Sequence, residues 1–104
     1  MPKLTIIYWR DIPAQIIGQQ GRKRHRQELS PRFAKAIDRA AMRAGRGSSD
    51  AYLEDWRRVS STVEEDLMTA VSDAADNLEA QFPDYVLEAT VKAGGHQAGQ
   101  ETDE

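Results

Sequence analysis

The chain has 104 residues, no cysteine and a formal net charge of −3. That length allows one domain with a modest core, and the lack of cysteine excludes disulfides, thiolate metal sites and a cysteine nucleophile and fits a reducing compartment. The charge is divided: residues 1–58 hold 13 Lys/Arg against 6 Asp/Glu, whereas residues 59–104 hold one Lys against 11 acids, so the halves either pair within the fold or each present a field to a partner.

No apolar run approaches the ~20 residues that a membrane span needs. The start, Met1-Pro2-Lys3, lacks the apolar stretch of a signal peptide. Both point to a cytoplasmic protein. Leu4 to Gly18 reads as a β-hairpin. Leu4, Ile6 and Tyr8 alternate with Thr5, Ile7 and Trp9, so both faces of the first strand are largely apolar. Such a strand is covered on part of both sides or meets a partner. Arg10-Asp11 starts the turn, Pro13 belongs at the turn or a strand start, and Ala14–Ile17 is the second strand. Gln19 to Glu28 is uninterruptedly polar: an exposed loop, or an extension of that strand with an exposed edge.

Ser30-Pro31 opens a helix, with Ser as N-cap and Pro at the first position. Phe33, Ile37, Ala40, Ala41 and Ala44 follow its period, and Gly45 and Gly47 close it. Ser48-Ser49-Asp50 caps a short second helix that uses Tyr52, Leu53 and Trp56 and closes at Arg57, Arg58 and Ser60-Ser61. A third helix runs from Val63 to about Gln81, with Thr62/Glu65 or Ser61/Glu64 as capping boxes. Its stripe is Val63, Leu67, Val71, Ala74, Leu78 and Phe82, and Pro83 stops it. Tyr85 to Val91 alternates as a final strand. The expectation is an α+β domain over residues 1–92, ordered β-β-α-α-α-β. It has a three-stranded antiparallel sheet with helices on one face, and residues 93–104 form a disordered acidic tail.

Little in this pattern carries chemistry. His25 and His96 lack ligand-spaced partners, and a first-row metal needs three or four convergent donors. No cofactor motif appears. Ser30, Ser48, Ser49, Ser60, Ser61 and Thr62 are explained as caps, and Gly45-Arg46-Gly47-Ser48-Ser49 as a helix connection rather than a phosphate cradle. Glu54/Asp55 and Glu64/Glu65/Asp66 sit on solvated faces, not in the apolar pocket that acid–base work requires. No complete catalytic or metal constellation appears, which leans against an enzyme and leaves a role within an enzyme complex open.

The basic set is more distinctive. Arg22, Lys23, Arg24 and Arg26 lead into a helical row of Arg32, Lys35, Arg39 and Arg43. Contiguous, these eight would hold an acidic protein surface or an anionic small molecule. They would otherwise be a solvated face, or be neutralised by the acidic third helix. Nucleic acid is disfavoured by the pI of 5.4 and by the lack of interleaved aromatics. Tyr8, Trp9, Tyr52 and Trp56 form an aromatic group, either core or, for Tyr8, Trp9 and Trp56, interface anchors.

Three stretches, Tyr8-Trp9-Arg10-Asp11-Ile12-Pro13-Ala14-Gln15, Phe33-Ala34-Lys35-Ala36-Ile37-Asp38 and Ala51-Tyr52-Leu53-Glu54-Asp55-Trp56-Arg57, resemble the small bacterial "virulence factor" domain. The resemblance covers most of residues 3–91. A related domain lies within the larger conserved virulence factor C proteins. The resemblance implies no catalytic residues. Its free-standing members suggest an accessory role beside folate- or corrinoid-dependent methyl-transfer enzymes. The leading expectation is a non-catalytic cytoplasmic protein-binding or regulatory module. The methyl-transfer accessory subunit and a nucleic-acid-binding regulator are the alternatives.

Overall fold

A computed structural model describes residues 1–46 and 48–96. Gly47 and residues 97–104 of the expected tail lie outside them. The domain is α+β, with a four-stranded antiparallel sheet and four helices among the described residues. The strands are β1 (Lys3–Trp9), β2 (Ile12–Gln20), β3 (Lys23–Glu28) and β4 (Trp56–Thr62), in spatial order β3-β2-β1-β4. The helices are α1 (Pro31–Arg43), α2 (Ser49–Glu54), α3 (Leu67–Gln81) and α4 (Asp84–Lys92).

The opening hairpin forms as its residues suggest, with Leu4 opposite Gly18 and Ile6 opposite Ile16. The expected three-stranded sheet gains a fourth strand for two reasons. Polar residues 23–28 pair as an edge strand on β2, with Gln15 opposite Glu28 and Gln20 opposite Lys23. One flank of an edge strand is unpaired and faces water, so such a strand tolerates six polar side chains. Residues 56–62, read as the end of a helix, pair with β1 instead, with Trp9 opposite Trp56 and Lys3 opposite Thr62. Ser60 Oγ and Thr5 Oγ1 share a 2.9 Å hydrogen bond across that ladder.

The expected last strand is α4. Its alternation is overridden by Leu87, Thr90 and Val91, which share a buried helical stripe against α1. Pro83 occupies the N-cap and Asp84 the first turn, where a carboxylate meets the positive end of the helix dipole. α3 begins at Leu67 rather than Val63, because Val63 N–H donates to Pro2 O at 3.0 Å and prolongs the β1–β4 pairing. Neither capping box forms. Asp66 is the cap, its carboxylate accepting from Thr69 N–H at 3.2 Å.

Strand alternation assigns the two sheet faces. Ile16 and Gly18 face α3: a Cβ at Gly18 would lie 2.6 Å from both Leu67 Cδ1 and Val71 Cγ2. Ile7, Gln15 and Ile17 point the other way. There, near the hairpin turn, Gln15 shares clefts with α1 and α2. α3 thus covers the Ile16/Gly18 face, and residues of α1 and α2 bound the clefts beside Gln15 near the hairpin turn. The core joins Leu4, Trp9, Ile12 and Ile16 with Phe33, Ile37, Val71, Leu78 and Phe82.

Candidate functional site

The eight cations do not form one field. α1 carries Arg32, Lys35, Arg39 and Arg43, and three of these are engaged by the acidic half of the chain. Arg32 pairs with Glu79 at 3.0 Å and Asp84 at 3.2 Å, and also donates to the Phe82 carbonyl. Arg39 grips Glu88 with two 2.8 Å hydrogen bonds. Arg43 Nε donates to Lys92 O at 3.0 Å. Lys35 remains exposed between them. Ser30, expected as a side-chain cap, makes no cap bond. Its backbone N–H and hydroxyl both donate to Glu79, at 2.7 and 3.0 Å.

These contacts reshape the acids. Burial pushes the Glu79 carboxyl up, but hydrogen bonds from Ser30 and the Arg32 charge outweigh it and hold it below the usual range. The Arg39 hydrogen bonds, aided by the charges of Arg39, Lys92 and Arg43, lower Glu88.

The second group stays free. Arg22, Lys23, Arg24 and Arg26 are exposed on the β2–β3 hairpin, and no ion pair engages them among the described residues. Arg24 and Arg26 alternate onto the same face as Ile17 and Gln19. Arg58, Ser60 and Thr62 of β4 lie on that face too, opposite Ile7, Thr5 and Lys3. Its outer part, away from α1 and α2, is thus a platform across all four strands. Lys3, Arg24, Arg26 and Arg58 stand exposed on it. Thr5 and Ile17 are buried within it yet join no part of the main core.

The aromatic group divides as well. Trp9 is fully buried, stacked on Tyr52 at 6.0 Å, with its indole N–H donating to Tyr52 O at 2.9 Å. It is a core residue and cannot anchor a partner from that position. Tyr8 is half-buried beneath the Arg57 guanidinium, 4.5 Å from the ring centroid. Trp56 is half-buried and meets Tyr52 edge-on at 5.7 Å.

Two features were not singled out from the residues. The first is a knot at the β1–β2 turn. Arg10 adopts φ 54°, a left-handed conformation costly for a non-glycine residue. Neighbours fix it from several sides. Arg10 N–H donates to Asp55 O at 3.0 Å, Arg10 Nε to the Asp55 carboxylate at 3.2 Å and Arg10 Nη1 to Gly94 O at 2.9 Å. Arg57 Nε donates to Arg10 O, and Asp11 N–H donates to Gly95 O at 2.8 Å. Arg46 adds a 2.9 Å contact to Asp55. Burial pushes the Asp55 carboxyl up, but Arg46 and Arg10 together hold it below its usual range. Gly94 and Gly95, at the start of the expected tail, are thus docked on the turn.

The second is a cleft of about 220 Å³ bounded by Ala14, Gln15, Glu28, Leu29, Ala34, Ile37, Asp38, Tyr52 and Trp56. Its residues come from five parts of the chain, so no local spacing marks it. No group of three His, Asp or Glu side chains is arranged to hold a metal among the described residues. No helix among them is long and apolar enough to cross a membrane.

The fold and surface define a small α+β domain with a basic sheet platform. Residues 7–91 match the family model described as "Virulence factor", and the chain belongs to that family. No curated protein and no solved structure matches it.

Proposed function

We propose that this chain is a non-catalytic protein-binding module of the cytoplasm whose docking surface is the basic platform on the outer half of the sheet. One observation carries the reading. Arg32 and Arg39 of α1 are engaged by Glu79, Asp84 and Glu88, whereas Arg24, Arg26 and Arg58 stand exposed around Ile7 and Ile17 and, among the described residues, without ion pairs. A flat array of cations around a small apolar centre suits an acidic protein segment. The cations steer encounter, and the half-buried Ile7 loses its remaining water on contact.

The test compares the intact chain with Arg24→Glu/Arg26→Glu and with Arg39→Glu in quantitative pull-downs. The platform variant should lose the partner and the α1 variant should keep it. Equal recovery by both variants would remove the platform from the proposal.

A further inference from the structure

We propose that the cleft between α1, α2 and the hairpin binds an organic ammonium ion, taken up as a single extended alkylammonium group. Three observations support this, none of which uses the basic platform. The first is the polarity of the walls. Among the described residues the charged groups lining the cleft are Glu28 and Asp38, both exposed, and no lysine, arginine or histidine joins them. This occurs in the half of the chain where Lys/Arg outnumber acids 13 to 6. Neither carboxylate has a salt-bridge partner among the described residues, although Arg32, Arg39 and Arg46 nearby in the chain are all paired.

The second is an acceptor without a donor. Gln15 lines the cleft and is half-buried, but its Oε1 is sealed from solvent with no hydrogen-bond partner among the described residues, so a guest's N–H reaches it only once the side-chain amide turns into the cleft. A buried acceptor left unpaired is costly, and an ammonium supplies three N–H donors and no acceptor.

The third is the pair of rings. Tyr52 and Trp56 stand nearly perpendicular, at 85°, and form an aromatic corner of the cleft. Cations seek such faces. Among the described residues the arginine–ring contacts use Trp9, Phe33 and Tyr8 and none uses Tyr52 or Trp56, although one face of Tyr52 is stacked on Trp9. Burial, helped by the nearby Asp38 charge, pushes the Tyr52 hydroxyl above its usual range. The volume sets the size of the guest. About 220 Å³ is smaller than the ~300–1,000 Å³ of sites for drug-sized molecules. It suits one aliphatic chain ending in an ammonium group, whether a small free amine or a lysine side chain.

The test is titration of the whole chain, followed by NMR at the Trp56 indole N–H and the Ala34 and Asp38 amides. The probes are n-butylammonium, the neutral n-butanol and the anion butyrate. Saturable shifts confined to the cleft are expected for the cation, with n-butanol at least about tenfold weaker, a difference of ~1.4 kcal/mol. Asp38→Asn, or Glu28→Gln should the first variant fail to fold, should weaken the cation about tenfold. Gln15→Leu should weaken it while leaving the fold at least as stable. Putrescine against Nα-acetyl-lysine amide then distinguishes a free amine from a lysine side chain. Equal binding of n-butanol and the cation overturns the proposal, as do undiminished binding by the carboxamide variant and the absence of any saturable response.

Discussion

One methyl group at Gly95 is expected to undock the C-terminal segment from the hairpin turn. Gly95 sits at φ 100°, and a Cβ there would stand 2.8 Å from Trp9 Cζ3 and 3.1 Å from Arg10 Cδ. Neither neighbour retreats easily. The Trp9 ring is fully buried and tied through its N–H to Tyr52 O, and Arg10 is held by Asp55 and Gly94. The strained backbone costs ~1–2 kcal/mol and the overpacking ~1–3 kcal/mol. The chain can escape both by releasing the segment. Release forfeits the Asp11 N–H bond to Gly95 O and the Arg10 bond to Gly94 O, together about 2–4 kcal/mol for one neutral and one charge-assisted bond. The smaller of the two losses is the one observed. Gly95→Ala should therefore lose about 2–4 kcal/mol in urea unfolding, and its melting temperature should fall by roughly 10–20 °C. A chain ending after Ala93 supplies the ceiling, since it lacks the docked segment altogether. Gly95→Ala as stable as the parent would refute the docking, and a loss clearly beyond that of the shortened chain would refute the escape argument.

Gly18→Ala should destabilise by ~1–3 kcal/mol, because its methyl would press on Leu67 and Val71. Adding Val71→Ala should recover part of that, so additive losses in a denaturation cycle would contradict the packing of α3 on β2. Acidification should unfold the domain through Glu79, Asp55 and Glu88, whose folded-state pKa values lie below their ordinary ones. The unfolded chain then binds more protons in that window. The stabilisation is complete above the ordinary carboxylate range and is lost as pH falls below about 4.5. Glu65, raised by its hydrogen bond to Asp73, works in the opposite sense but is solvent-exposed. Glu79→Gln should shallow the acid limb of stability against pH, and an unchanged limb would show that Glu79 does not set it. Arg39→Glu should lower the melting temperature slightly at low salt, and Glu88→Arg added to it should restore the value. Failure of that restoration would mean the pair contributes through packing rather than charge.

The parts of the fold legible in the residues were those with a single strong local signal. Ser30-Pro31 followed by Phe33 and Ile37 placed α1, and the β-branched run from Thr5 to Ile7 placed β1. Three elements were decided by tertiary pairing rather than by a local pattern. Tyr85–Val91 satisfies both a two-residue alternation and a four-residue stripe, and the α1 surface selects the stripe. Residues 23–28 have no apolar signal at all, and only the open edge of β2 makes them a strand. Trp56 to Thr62 follows a helix without a glycine or proline to announce its end. The site was less legible still. Whether Arg32 and Arg39 are free depends on Glu79 and Glu88, each more than 45 residues away. Sequence therefore showed both the basic row and its neutralisation as options without choosing between them.

The run Tyr8-Trp9-Arg10-Asp11-Ile12-Pro13 carried the family resemblance, yet its side chains are spent on architecture. Trp9 and Ile12 fill the core, Pro13 is buried, and Arg10 and Asp11 bind the turn to Asp55, Arg57, Gly94 and Gly95. That knot fixes the end of α2 and the start of β4 relative to the hairpin. Tyr52 and Trp56 are placed by the same contacts: the Tyr52 carbonyl is held by Trp9, and Trp56 follows directly on Asp55. Arg58, two residues further along β4, is thereby aligned with Ile7 on the basic platform. The most specific motif of the chain therefore stands at one remove from both proposed sites. Its substitution should damage the cleft and the platform together through misplacement. Changes at Asp38 or Arg26, by contrast, touch one surface each and leave the fold intact. A variant at Arg10 that disabled neither surface while unlocking the turn would separate these roles and break this reading.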